Sequence, residues 1–98
     1  MTNKNYRRGY LKEREMQQKL QADGYYCTRS SGSHTAFDLI AINSNSILCI
    51  QIKRTKGKYY SFKKDIEQMR DIIVPGNAVK QLLIWSDYYC KWIKVKVE

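Results

Sequence analysis

The chain has 98 residues, 43% of them hydrophobic, and carries 18 Lys and Arg against 9 Asp and Glu, a formal charge of +9. A length of this order builds one modest core, so residues 1–98 are read as a single domain. Charge of this sign on so small a body implies a polyanionic partner, nucleic acid first, while the lack of a membrane-spanning apolar run or a basic-flanked amphipathic helix argues against a membrane protein.

Good helix formers run from Tyr6 to Ala22 and Asp23-Gly24 supplies a stop, which predicts a first helix. At about 100° per residue, Tyr6, Tyr10, Met16, Gln17 and Leu20 share one arc, with Leu11 outside it. Glu13 falls within that arc and Glu15 points away. A carboxylate on a buried stripe costs desolvation unless paired or bound to metal, so Glu13 is the residue that needs an explanation. "YYCTR" reads as a strand and "SSGSHT" as a polar Gly/Ser loop.

"FDLIAINSNSILCIQIKR", Phe37 to Arg54, reads as a hairpin turning on "NSNS". A loop of two residues (Ser44, Asn45) or four (Asn43 to Ser46) makes paired positions sum to 89, which sets Asp38 across from Gln51 on one face, with Lys53 on that face too. An acid, an amide and an amine are thus expected on one patch of sheet. The basic, Tyr-bearing "KRTKGKYYSFKK" leads into a second helix from about Phe62 to Ile73, with Phe62, Ile66, Met69, Ile72 and Ile73 on one face and Pro75-Gly76 beyond its end. Two strands follow, "KQLLIWS" and "CKWIKVKV"; in the last, Ile93, Val95 and Val97 seek the core and Trp92, Lys94 and Lys96 form a basic face. The order αβββαββ predicts an α/β fold, a mixed central β-sheet flanked by helices.

Cys27, Cys49 and Cys90 are odd in number, widely spaced and set in apolar or aromatic runs, and are read as reduced core residues. With a single His34 and no CxxC, zinc ligands are lacking at the required spacing. The charged start "MTNKNYRRGY" has no apolar stretch, so a cytoplasmic protein is expected. Tyr59, Tyr60, Trp85 and Trp92 are read as core or interface rather than base-stacking platforms.

Phosphodiester hydrolysis needs a divalent cation to activate water and offset phosphate charge, and hard cations take oxygen ligands, which Asp38 and Glu13 can supply. "FD" at 37–38 followed by "QIK" at 51–53 resembles the PD-(D/E)xK nuclease superfamily. "RRGYLKERE" (7–15), "TRSSGS" (28–33), "FDLIAI" and "LCIQIKRTKGKYY" together resemble, in order and spacing, the archaeal-type Holliday junction resolvases over roughly Arg7 to Ile73. That resemblance implies a restriction-endonuclease-like core and a Mg²⁺-dependent endonuclease, with Mn²⁺ substituting, that resolves four-way DNA junctions in recombination and repair. Its catalytic residues are then Glu13, Asp38, Gln51, Lys53 and Ser33. The metal would be held by Glu13, Asp38, Gln51 and the Ile52 carbonyl. Arg29 and Ser33 would contact the scissile or a neighbouring phosphate, and Arg54, Lys56, Lys58, Lys63 and Lys64 would track a DNA arm by charge. His34 adjoins the same loop. The two-fold symmetry of a junction implies a homodimer.

One position departs from the resolvase pattern: Gln51 stands where those enzymes place Glu. An amide oxygen can ligate Mg²⁺ but brings no charge. "CIQIKR" is also similar to the Mrr-type endonucleases, which act on other duplex DNA. A third reading is a DNA- or junction-binding protein weakened in catalysis by Gln51.

Overall fold

Helix α1 (Lys4–Ala22) ends as the sequence foretells. Gly24 sits at φ +95°, its N–H bonds Gln21 O (3.1 Å) and the Tyr25 N–H bonds Leu20 O (3.0 Å), the pair of reversed bonds that closes a helix through a left-handed glycine. Tyr25 then packs on the cluster that holds Leu20, fixing the angle at which the chain enters the sheet. The computed structural model describes residues 4–30 and 36–98, with 4–9 described by backbone alone. Ser33 and His34, both singled out above, and the Tyr6 side chain lie outside the described residues.

The strands are β1 (Tyr26–Arg29), β2 (Leu39–Ile42), β3 (Ile47–Thr55), β4 (Ala78–Ser86) and β5 (Lys91–Val97), with α2 (Lys63–Arg70) between β3 and β4. They form one sheet in the order β1-β2-β3-β4-β5. Only β3 and β4 run parallel, because α2 carries the chain back across the sheet; the other neighbours are antiparallel. This is the mixed α/β architecture expected, in the order αβββαββ. The β2–β3 ladder has the register of paired positions summing to 89, from Ile42–Ile47 to Leu39–Ile50. Its turn is held by Asn43, whose Oδ1 accepts the Asn45 and Ser46 N–H groups at 2.8 Å each.

Alternation along β3 splits the core. Leu48, Ile50 and Ile52 face α1 and join Met16, Leu20, Leu39, Ala41 and Leu83. On the other face Leu82, Ile84 and Val97 enclose Met69 of α2, with Ile66, Phe62, Ile93 and Val95 packed around them. Each fully buried Leu, Ile or Met contributes about 1.5–3 kcal/mol, so the two layers fix α1 and α2 on opposite sides. As the helical wheel requires, Met16 and Leu20 are buried and Leu11 is exposed.

Four expectations need correction. Helix α2 is shorter than 62–73: the Asp71 and Ile72 N–H groups turn back to Glu67 O and Met69 O, and Ile73, beyond that turn, is 98% exposed. Cys90 is exposed in the β4–β5 turn at φ +53°, whereas Cys27 and Cys49 are buried as anticipated. Of the aromatics read as core or interface, Tyr59 at 86% exposed is not core, which leaves only the interface half of that reading for it, while Trp85 and Trp92 are half-buried and meet edge to face at 5.6 Å. Trp92 is not on a purely basic face, because it packs against the α1-side cluster.

Candidate active site

The regular β2–β3 ladder stops one residue short of Asp38. The Asp38 N–H bonds Ile50 O (2.8 Å), so Asp38 and Leu39 both face Ile50 and strict alternation is lost there, as in a β-bulge. The expectation that Asp38 lies directly across from Gln51 in a continuing ladder is therefore corrected. What replaces the ladder is the side chain itself: Asp38 Oδ2 accepts the Ile52 N–H at 2.7 Å. Asp38 thus sits at the sheet's own level, where β2 has ended and β3 continues to Thr55, within reach of both layers.

On the α2 side stand Gln51, Lys53 and a residue the sequence reading passed over, Asp65. Lys53 Nζ lies 3.3 Å from Asp65 Oδ1, and Gln51 Nε2 donates to the same oxygen at 3.4 Å. Gln51 is buried, and its Oε1 has no hydrogen-bond partner among the described residues. The signal for Asp65 was present: it lies three residues after Phe62 and four before Met69, at the border of the buried stripe of α2. The helical-wheel test that exposed Glu13 would have found it.

On the α1 side, Glu13 is half-buried and 3.8 Å from Arg29 Nε. Arg29 stacks over the Tyr10 ring with its guanidinium carbon 4.5 Å from the centroid. Its Nε is buried, and no hydrogen bond satisfies it among the described residues. Burial raises the Glu13 carboxyl above its ordinary range, the Asp38 charge adds to that, and Arg29 opposes it. Burial also raises Asp38, against the pull of the Ile52 N–H, Lys53 and Arg29, while Asp65 pushes the same way as burial. Asp38 therefore feels groups from both layers, and joins them into one polar centre.

That centre offers only oxygen donors to a cation. Among the described residues no set of three or more His, Cys, Asp or Glu side chains gathers to hold a metal ion. An amide oxygen that is buried without a hydrogen-bond partner among the described residues, together with the carboxylates of Asp38 and Glu13, nevertheless fits a hard divalent cation and poorly fits a soft one.

The basic residues divide. Arg54 is engaged within the fold: its Nε lies 3.0 Å from Asp87 Oδ1 and its Nη2 the same distance from that oxygen, which also accepts the Trp85 indole N–H at 2.9 Å. Lys56, Lys58, Lys63 and Lys64 are exposed on the segment between β3 and α2 and on the first turn of α2.

A mixed sheet between two helices, with an acid where the hairpin ladder ends and a lysine two residues past a strand amide, defines the restriction-endonuclease-like α/β class. The family model described as archaeal Holliday junction resolvase (Hjc) matches residues 4–84. The chain belongs to the archaeal Holliday junction resolvase family. It is 38% identical over 65 residues to the crossover junction endodeoxyribonuclease Hjc of Methanocaldococcus jannaschii, covering 65% of this chain and 48% of that protein. The chain thus spans about half the length of the curated relative it matches. The crystal structure of Archaeoglobus fulgidus Hjc superposes with a TM-score of 0.69 at 23% identity, over 87% of this chain and 72% of that one, a likeness of fold.

Proposed function

We propose that this protein is a metal-dependent endonuclease that nicks four-way DNA junctions. The observation that carries the reading is the placement of Asp38, bonded to the Ile52 N–H and electrostatically linked to Glu13 on one side and Lys53 on the other, in a member of this family.

Asp38, the Gln51 Oε1 and the Ile52 carbonyl would hold Mg²⁺, or Mn²⁺ in its place, with Glu13 joining directly or through water. When bound, the cation supplies charge for the phosphate and acidifies a water. Lys53 orients the attacking water and offsets charge developing on the phosphorane. Arg29, whose Nε has no hydrogen-bond partner among the described residues, donates to an oxygen of the scissile or a neighbouring phosphate, together with Ser33. Lys56, Lys58, Lys63 and Lys64 draw in a DNA arm by charge. Arg54 serves the fold through Asp87 before it serves DNA.

Two cuts on a two-fold junction call for two sites, hence a homodimer. The groove between α2 and β5, about 440 Å³ and lined by Tyr60, Phe62, Ile66 and Val95, is an apolar surface suited to that contact. No described helix is long and apolar enough to cross a membrane.

A second reading, junction binding with catalysis lost, is favoured by the absence of a three-carboxylate cluster among the described residues. Wild type, Asp38→Asn, Lys53→Ala and Gln51→Glu are incubated with a four-way junction and a linear duplex in Mg²⁺ or Mn²⁺. Symmetric nicking of the junction by wild type, lost in Asp38→Asn and Lys53→Ala, is expected. Binding without nicking, with cleavage appearing in Gln51→Glu, assigns the protein to the second reading. Equal cutting of linear duplex removes junction selectivity and points to Mrr-like cleavage.

A further inference from the structure

We infer that Asp65 is a positioning residue of the metal site: from helix α2 it fixes the Gln51 amide with its oxygen turned inward and provides the negative charge that a glutamate at 51 would bring. This rests on the metal-nuclease reading above.

A glutamine at a ligand position poses a problem that a glutamate does not. Either end of the amide can face the site, and only the oxygen end can bind a cation, since the NH₂ end carries two donors and no acceptor. A neighbouring carboxylate decides the matter because it accepts and does not donate. Asp65 Oδ1 accepts from Gln51 Nε2 at 3.4 Å, and Oε1 is left buried with no hydrogen-bond partner among the described residues. A buried carbonyl oxygen left bare costs free energy in the metal-free fold, and a cation removes that cost.

Charge is the second part. The same Oδ1 is 3.3 Å from Lys53 Nζ and 3.4 Å from Gln51 Nε2, so its carboxylate belongs to the polar centre although it lies 14 residues beyond Gln51 in the chain. An ion pair with Lys53 explains only part of this arrangement. Such half-exposed pairs contribute little, and a surface pair needs no buried amide bonded to the same oxygen. The helix dipole favours an acid in the first turn of α2 whatever its side chain touches, so it does not account for the contact with Gln51.

The test measures Mn²⁺ affinity of the purified full chain by electron paramagnetic resonance titration, with thermal melting of each variant as a check on folding and junction nicking as a second readout. Wild type is expected to bind Mn²⁺. Asp65→Asn, which can present an NH₂ to Gln51 and brings no charge, is expected to weaken binding about 10–100-fold, as loss of a ligand's supporting partner does. Asp65→Asn combined with Gln51→Glu is expected to recover wild-type affinity, because the charge has moved onto the strand and orientation no longer matters. Unchanged affinity in Asp65→Asn, or a folded double variant that fails to recover, overturns the inference and leaves the nuclease reading standing. Wild type that neither binds Mn²⁺ nor nicks a junction overturns both.

Discussion

Two lysines approach helix α2 from the sheet, one at each end, and their surroundings differ in kind. Lys80 of β4 is 9% exposed and gives its three protons to Met69 O at 2.8 Å and to Arg70 O and Ile72 O at 3.0 Å each. An ammonium has three donors, so its capacity is filled, and it closes the carbonyl end of the helix where the dipole is negative. Lys53 of β3 has a side chain 35% exposed and, among the described residues, is ion-paired with Asp65 at 3.3 Å. The first amine is spent on the fold; the second keeps donors in hand for something that arrives. Full satisfaction marks Lys80 as a structural charge; Lys53, whose acid is shared with the Gln51 amide, is the lysine proposed for the site.

Substituting each lysine separates the two roles. Lys53→Ala is expected to slow junction nicking in Mg²⁺ by about 10²–10⁴-fold, the range for a group that handles the attacking water, with the melting temperature nearly unchanged. Lys80→Met is expected to do the reverse. Stripping three carbonyls of their donor costs about 3 kcal/mol, on the order of 15 °C in melting temperature for a domain of this size, while nicking below the transition persists. A Lys53→Ala protein that cleaves normally, or a Lys80→Met protein that melts like wild type, would erase the distinction.

Smaller effects refine it. Asp38 and Glu13 both titrate above their ordinary ranges, so between the unfolded and folded values the native state holds more protons than the unfolded chain. Their contribution to stability is therefore greatest at low pH and is lost as pH rises through the raised folded values. Asp38→Asn keeps an acceptor for the Ile52 N–H and has no proton to lose, and should raise the melting temperature of the metal-free protein by a few degrees near neutral pH. The same variant should lose any stabilisation by Mn²⁺. Arg54→Ala should cost about 1 kcal/mol through its lost pairing with Asp87, with DNA affinity at moderate salt reduced less than by Lys63→Ala and Lys64→Ala together. Arg54 lowers the Asp87 carboxyl, so this contribution is present above the ordinary Asp range and fades as pH falls through the depressed value.

Most of the frame was legible because it is written in short-range patterns. Asp23-Gly24 needs a left-handed residue, "NSNS" folds on an Asx turn, and the alternation of β3 between two apolar layers sets the hairpin register. Glu13 was legible because an acid on an apolar stripe is costly. The bulge at Asp38 was not, since it depends on a side chain displacing a main-chain partner, which no periodicity records. Asp65 was as legible as Glu13, an acid at the border of the apolar stripe that Phe62 and Met69 define; what the sequence does not record is that Gln51 and Lys53 of β3 meet it there. The early end of α2 escaped for the same reason: Lys80, ten residues later, holds the carbonyls that a further turn would have used.

The bond from Asp38 to the Ile52 amide ties chemistry to architecture. An alanine there would leave a strand amide bare at the seam of the sheet as well as emptying the site. Alanine would therefore weaken the folded body along with the proposed site, whereas asparagine, which keeps an acceptor for that amide, would leave a durable but inert copy able to sit on a DNA branch point and shield it from working copies.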